Sequence, residues 1–446
     1  MTPSRRGLYR ATFAGLTALS ASRVMGANER IRLGLIGLGN RGDQVLSAFL
    51  EHPDCQVVAL CDLWEPYRQY AASRVGGDPL SVKDYRRLLD QQDVDAVVIC
   101  TPDHWHALQT IHACQAGKDV YVEKPLSVSV VEGRRMIQHA EKHGRVVQVG
   151  IQRLSSALGK EVSSLIQSGE LGKITAVRAF HIQNEWPHGI GRPEDGTPPD
   201  GFDWDAWQGP APERPYNVNR TFYRFRWFDD YSGGQLTNFG VHYLASIHWA
   251  LGVEAPLSVT AIGGKFADYD NREIPDTLEV LWHYPGDVLV SFTQFNSSAA
   301  PASARPCEIE FRGTKGTLYL DLNGYEVAPE SIIPREFPAR TPLNRSLERG
   351  YHVGASPQIE PRKVRGRIRD ADHARDFLDR VRDRRTPSCP LEFAHRATSA
   401  ALIGRIALRC RALLDWDAAS EEFTNHEEAN RHLMVAYRPP YQLPPV

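Results

Sequence analysis

Short apolar runs recur through the first third of the chain, at Ile31–Ile36, Gln56–Cys61, Ala96–Ile99, Asp119–Val122 and Val146–Val149. Between most of them the apolar positions take a helical period, as in Asp43–Leu50 and Pro66–Ser73. Strand alternating with helix predicts an α/β fold with a doubly wound, mostly parallel sheet. After Gly150 the pattern changes. A helix at Ala157–Ser168 and a strand at Ile174–Ile182 lead into a loop rich in Pro, Gly and Trp, from Asn184 to about Asp230. A helix over Gly234–Leu251 follows, then alternating strands at Leu257–Gly263, Thr277–His283, Val288–Asn296, Cys307–Arg312 and Gly316–Leu320. That second half predicts a large open, mostly antiparallel sheet with helices on one face. Arg335–Arg369 has weak periodicity and reads as loop, while Ala371–Arg384 and Glu392–Leu414 read as helices. The expected organisation is a tail, 1–27, a Rossmann domain, 28–150, and a second α/β domain, 151–446.

The first strand breaks into Gly37-x-Gly39-x-x-Gly42, within GLGNRG, and a helix starts there. This is the strand, turn and helix context that a dinucleotide fingerprint requires. Gly37 allows the tight turn, Gly39 the approach of a pyrophosphate, and Gly42 close packing of helix on strand. The second strand ends in Asp62, where a carboxylate binds ribose hydroxyls and repels a 2′-phosphate. Leu63-Trp64-Glu65 offers no arginine for that phosphate, so NAD is favoured over NADP. Asp62 can also be read as a cap for the next helix.

Composition narrows the field. The 446 residues are 42% hydrophobic and 24% charged, with a net charge of −2, which excludes a nucleic-acid partner as the leading reading. Arg362–Arg369 is the nearest thing to a basic cluster and reads as a solvated loop. Seven cysteines without CxxC spacing describe neither a disulfide framework nor a zinc site. His104 and His106 lack an identifiable third ligand, so no metal is expected. At the N-terminus, Ser4-Arg5-Arg6-Gly7-Leu8 before the mildly apolar Ala11–Ala21 resembles a twin-arginine export signal, a route to the periplasm. No other segment approaches the roughly 18 apolar residues of a membrane span. An exported protein meets no free nicotinamide pool, so export favours a tightly held cofactor and a redox-neutral cycle.

Three segments at the ends of later strands face the nicotinamide position: Cys100-Thr101-Pro102-Asp103-His104-Trp105-His106, Glu123-Lys124-Pro125 and Gly150-Ile151-Gln152-Arg153. Together with Asn40 and Arg41 of the glycine turn, Thr101, Pro102, His106, Glu123, Lys124 and Gln152 are the candidate cofactor-binding residues. Oxidised nicotinamide and desolvation would lower the pKa of Lys124 and make it a base near neutral pH; an ion pair is the simpler alternative. Arg153 and Trp227, with the other loop aromatics, are candidates for orienting a sugar, although each aromatic alone can equally pack the loop.

GLGNRG, CTPDHWH, VEKPL and GGQLTNFGVH together resemble the Gfo/Idh/MocA oxidoreductases, from about Arg30 to the C-terminus. The resemblance implies reversible hydride transfer between NAD(P) and a ring carbinol of a sugar, glycoside or cyclitol. It makes Lys124 the catalytic lysine and Pro125 a frequent cis position, and it implies a homo-oligomer built on the open sheet. The family's Asp-x-x-x-His pair is here Asn238 and His242. An amide cannot act as a base or raise a histidine pKa, so His242 should be neutral at pH 7 and pair with Lys124 in acid/base work. Asn238 would then hold the substrate hydroxyl, and a core role for His242 is the alternative. Two other readings stay open. One is a redox-cycling glycosidase that oxidises C3, eliminates the aglycone, adds water and returns the hydride, although GQLTNFGVH departs from that branch's tyrosine-containing motif. The other is a non-catalytic sugar or nucleotide sensor.

Overall fold

The computed structural model describes residues 30–446 apart from positions 268 and 340, so the predicted export signal lies outside the described residues. Six strands form the first sheet: Ile31–Ile36 (β1), Cys55–Cys61 (β2), Leu80–Val82 (β3), Ala96–Ile99 (β4), Asp119–Glu123 (β5) and Val147–Gly150 (β6). They are parallel throughout and lie in the order β3-β2-β1-β4-β5-β6. Every residue of β4 and β5 is buried, as strands covered on both faces should be. The strand order reverses between β1 and β4, and the crevice at that point opens at the strands' C-terminal ends. The glycine turn lies there. β3 escapes a sequence reading because it is three residues long and two of them are exposed.

The second sheet has ten strands. At its centre Ile174–Ile182 pairs parallel with Val288–Phe295 and antiparallel with Ile309–Gly313, and the flanking ladders are antiparallel. Its open face alternates with its core face: along Thr277–Tyr284, Leu281 and His283 are exposed while Leu278, Val280, Trp282 and Tyr284 are buried. Two expectations change here. The basic segment Arg362–Arg365 is an edge strand on Gly324–Pro329, not a loop, and its charges suit an edge that must not pair further. The predicted helix to Leu414 stops at Cys410, where Arg411 turns left-handed, and Leu414–Asp417 joins the sheet beside Ser258–Gly264.

Two C-terminal helices tie the halves together. Leu391–Cys410 packs on Gly240–Leu251 and Ser258–Gly264 of the second half and on Val130–Lys142 of the first. Asp370–Asp383 returns to the Rossmann helix Asn40–Leu50, setting Phe377 edge-on to Phe49 with centroids 6.1 Å apart. The residues that shape the cleft are therefore held from both sides.

Candidate active site

The crevice starts at the glycine turn. Gly37 has φ +89°, and a Cβ there would lie 2.6 Å from the Cys100 carbonyl carbon. A Cβ on Gly42 would lie 2.1 Å from the Gly37 oxygen, so both positions exclude any side chain. Gly39 caps helix Asn40–Leu50 without any side-chain bond, which leaves the first helical N–H groups open to an anion. At the end of β2, Asp62 accepts hydrogen bonds from the backbone N–H of Leu38 (2.7 Å) and of Trp64 (2.8 Å). Those bonds aim the carboxylate and leave it lone pairs for ribose hydroxyls. Burial pushes its pKa up against the pull of these N–H groups. Helix Glu65–Val75 is capped by Trp64, so Asp62 is not its cap.

Turn and carboxylate line a cleft of about 400 Å³, and so do Asn40, Arg41, Thr101, Pro102, Glu123 and Lys124. Lys124 follows β5, three strands from β2 and so roughly 14 Å across the sheet. That span suits a dinucleotide with ribose at Asp62, pyrophosphate on the helix end and nicotinamide near Lys124. Arg41 and Glu123 belong to the wall more than to a ligand. Arg41 Nε donates to Glu123 Oε1 (2.9 Å) and Arg41 Nη1 to Asp370 Oδ2 (2.7 Å), joining the glycine turn, β5 and the returning helix.

Lys124 Nζ donates to Asn238 Oδ1 (2.6 Å) and to the Asn238 carbonyl (3.1 Å). Burial, then the nearby Arg226 guanidinium, bring its pKa down to about 8. The Lys124–Pro125 bond is cis. His242 is buried, with no protein partner for Nδ1. Burial, and then the Lys124 charge, hold it well below the usual histidine range, so it is neutral. The predicted helix Gly234–Leu251 breaks at Phe239 into Gly234–Asn238 and Gly240–Leu251. Asn238 departs from its expected role. Its Nδ2 donates to Gln235 Oε1 (3.0 Å) while its oxygen takes Lys124, so it positions the lysine rather than presenting a free amide to substrate.

Other expectations are corrected. His106 does not face a cofactor: its ring nitrogens lie 2.7 Å from the Pro125 oxygen and 2.9 Å from the Thr101 oxygen, bracing two strand ends. Arg153 is paired with Glu308 (2.8 Å) and stacked 5.2 Å over Tyr243, so its charge is already taken. Trp227 is buried in the loop's own core, with Arg272 4.3 Å over its ring, and cannot stack a sugar. Gln152 keeps a buried Oε1 without a protein partner but does not line the cleft. Among the described residues no group of three His, Cys, Asp or Glu is placed to hold a metal ion.

The tryptophan loop is a folded layer over the cleft. Its core gathers Phe202, Trp207, Tyr216, Phe225, Trp227, Phe228 and Tyr231. His104 Nε2 (3.1 Å) and Trp105 Nε1 (2.9 Å) both meet the Trp207 oxygen, so the HWH segment docks this loop instead of a metal. Phe202 and Phe222 pack edge-on against Trp64 (5.8 and 6.2 Å), and Phe222 also against Tyr67 (6.1 Å). The loop thus closes over the Asp62 end of the cleft. Tyr223 and Arg226 line the cleft as well. Sequence reading missed both, although the run Phe222-Tyr223-Arg224-Phe225-Arg226-Trp227 already mixed rings and cations.

A nicotinamide-dependent oxidoreductase arranges its cleft in this way. The chain belongs to the Gfo/Idh/MocA oxidoreductase family: the family's NAD-binding Rossmann fold matches residues 31–151 and its C-terminal alpha/beta domain residues 156–285. Among curated relatives, inositol 2-dehydrogenase of Salmonella typhimurium is 30% identical over 153 residues, 34% of this chain and 46% of that protein. A glycosyl hydrolase family 109 protein of Saccharopolyspora erythraea is 35% identical over 127 residues, 27% of this chain and 28% of that one. The chain therefore matches about half the length of these relatives, or less. Of solved structures, the WlbA dehydrogenase of Bordetella pertussis with NADH and UDP-GlcNAcA aligns at TM-score 0.62 and 19% identity, over 87% of this chain and 99% of that one. Levoglucosan dehydrogenase with NADH and levoglucosan aligns at 0.63 and 16%, over 86% and 99%. These likenesses show the fold. The dinucleotide this Rossmann domain is built for is NAD.

Proposed function

We propose that this protein is an NAD-dependent oxidoreductase that moves hydride to or from a ring carbinol of a sugar, glycoside or cyclitol. The observation that carries the reading is Lys124, pinned by Asn238 and brought down to about pKa 8, beside a neutral His242. NAD, when bound, supplies the hydride acceptor or donor. Near pH 8 half of Lys124 is free amine and able to take a hydroxyl proton, and half is ammonium able to return one. Asn238 fixes Nζ through two hydrogen bonds, and His242, uncharged and buried, offers a neutral imidazole for a substrate hydroxyl while leaving the proton to Lys124. The substrate class is supported by relatives named for inositol and levoglucosan.

The aromatic closure over the Asp62 end supports a cofactor that leaves slowly. That same observation, with the family 109 relatives, favours the second reading, a redox-neutral glycosidase. A homo-oligomer fits the apolar side chains on the open face of the large sheet, Ile262, Leu281 and Leu289. Export by the twin-arginine route belongs to the same proposal, since a retained cofactor can travel inside a folded protein.

Denaturing extraction of the purified protein, followed by absorbance at 340 nm with inositols, aldoses and aryl glycosides, tests the function. Reduction of NAD by a sugar or cyclitol supports the first reading. Aglycone release without net NADH supports the second. Neither signal from any of the three classes defeats both.

A further inference from the structure

Three arginines of the aromatic loop are already engaged. Arg214 pairs with Asp230 (2.7 Å), Arg220 with Glu273 (3.2 Å), and Arg224 donates to the Ile190 oxygen and to Asn219 Oδ1. Arg226 differs. Among the described residues no carboxylate lies within ion-pair distance of it, and its one hydrogen bond runs to the Tyr223 oxygen (3.0 Å) in its own turn. Its guanidinium is held between rings, 4.6 Å from Tyr223 and 4.8 Å from Phe225. It lines the cleft that Lys124 lines.

The acids of that cleft do not answer it. Glu123 holds Arg41, Asp103 accepts from the Ser232 hydroxyl (2.5 Å), Asp203 caps helix Trp204–Gln208, and Asp84 pairs with Arg86. Asp62 accepts from the Leu38 and Trp64 N–H groups. The pyrophosphate of a dinucleotide has its own site on helix Asn40–Leu50. A half-buried guanidinium, fixed by two rings and short of a counter-ion, is matched by a planar or tetrahedral oxyanion.

We propose that Arg226 is a specificity residue that selects a substrate carrying an anionic group, a carboxylate or a phosphate, on the sugar ring oxidised at Lys124. This rests on the oxidoreductase reading for the site and adds the substrate's charge. A neutral sugar would leave the guanidinium unanswered, whereas a uronate or sugar phosphate pairs with it and fixes the ring's orientation toward Nζ.

The test measures binding by calorimetry and turnover at 340 nm separately, on NAD-loaded protein. Paired probes differ only in the anion: galactose and galacturonate, glucose and glucuronate, glucose and glucose 6-phosphate. The expected result is at least tenfold tighter binding of an acidic member than of its neutral partner, weakening as salt rises. R226Q should erase that preference, R226K should keep part of it, and NAD affinity should stay within about twofold in both. Equal binding of acidic and neutral members, no binding of any acidic member at 10-millimolar order, or a preference that survives R226Q overturns the proposal. A tenfold loss of NAD affinity in R226Q also overturns it, because Arg226 then serves the cofactor. Arg226-dependent binding of acidic sugars without turnover of any sugar defeats the oxidoreductase reading and spares the anion site. Turnover of neutral and acidic sugars alike does the reverse.

Discussion

At the Asp62 end of the cleft, what meets a ligand is set largely by backbone: a turn that admits no Cβ at Gly37 or Gly42, open N–H groups of a helix, and one carboxylate aimed by two backbone donors. At the Lys124 end every working group is a side chain, and each comes from a different segment. Lys124 follows β5, Asn238 and His242 sit on either side of a helix break, and Arg226 descends from the loop. The first end is a binding device whose parts are fixed by local geometry. The second is a chemical device whose parts work only in each other's presence. Lys124→Ala separates the two most sharply. Turnover should fall by about 10³-fold, within the range for removal of a general acid/base, while NAD affinity stays within about threefold. Activity that survives the change, measured as kcat at pH 8, would remove Lys124 from the chemistry.

Asp62→Ala is the converse. Loss of a charge-assisted contact of roughly 1.5–3 kcal/mol predicts NAD binding about 10- to 150-fold weaker, with kcat at saturating NAD little changed. Fluorescence titration of the protein with NAD reads this directly. A Kd that does not move would mean that Asp62 only organises its own turn, through Leu38 and Trp64.

Asn238→Asp breaks the chemical end without emptying it. A carboxylate 2.6 Å from Nζ favours the ammonium, so the Lys124 pKa rises from about 8 by about one to three units. The alkaline-rising limb of kcat/KM should move up by the same amount. At pH 7.5 the rate should drop roughly tenfold and then recover near pH 10. His242 gains basicity in the same variant, for the same reason. A pH profile that stays in place would show that another group titrates.

These two ends also differ in how far the chain itself declared them. Strand, glycine turn, helix and Asp62 lie within thirty-odd consecutive positions, and the physics joining them is local, so the reading and the structure agree nearly residue for residue. Lys124 was legible from its place at a strand end as well as from motif resemblance, His242 through the resemblance alone. An arginine and an indole near the site look available in the sequence, which makes Arg153 and Trp227 candidates for substrate. Their partners are remote in sequence: Glu308 is 155 residues from Arg153, and the Arg272 that covers Trp227 is itself tied to Glu185, 87 residues away. Availability is decided by such tertiary pairing, which no local pattern encodes. The same holds for Arg226, whose value lies in having no carboxylate partner among the described residues.

Phe222→Ala probes the place where the two ends meet, since the loop that carries Arg226 also closes over Asp62. Phe222 makes two edge contacts, to Trp64 and Tyr67, each worth about 0.5–1.5 kcal/mol beyond burial. Part of this persists through Phe202 against Trp64. NAD release should therefore quicken only about threefold to tenfold, read by stopped-flow displacement, with the pH profile of Lys124 unmoved. Trp186→Ala in the same loop, where the ring is 58% exposed, serves as control and should leave release unchanged. If both variants release NAD like the parent, cofactor retention does not come from the aromatic closure, and the support it lends to a self-contained redox cycle is lost. If Phe222→Ala also shifts the pH profile, the loop's position tunes Lys124 through Arg226, and the binding end and the chemical end are one mechanical unit.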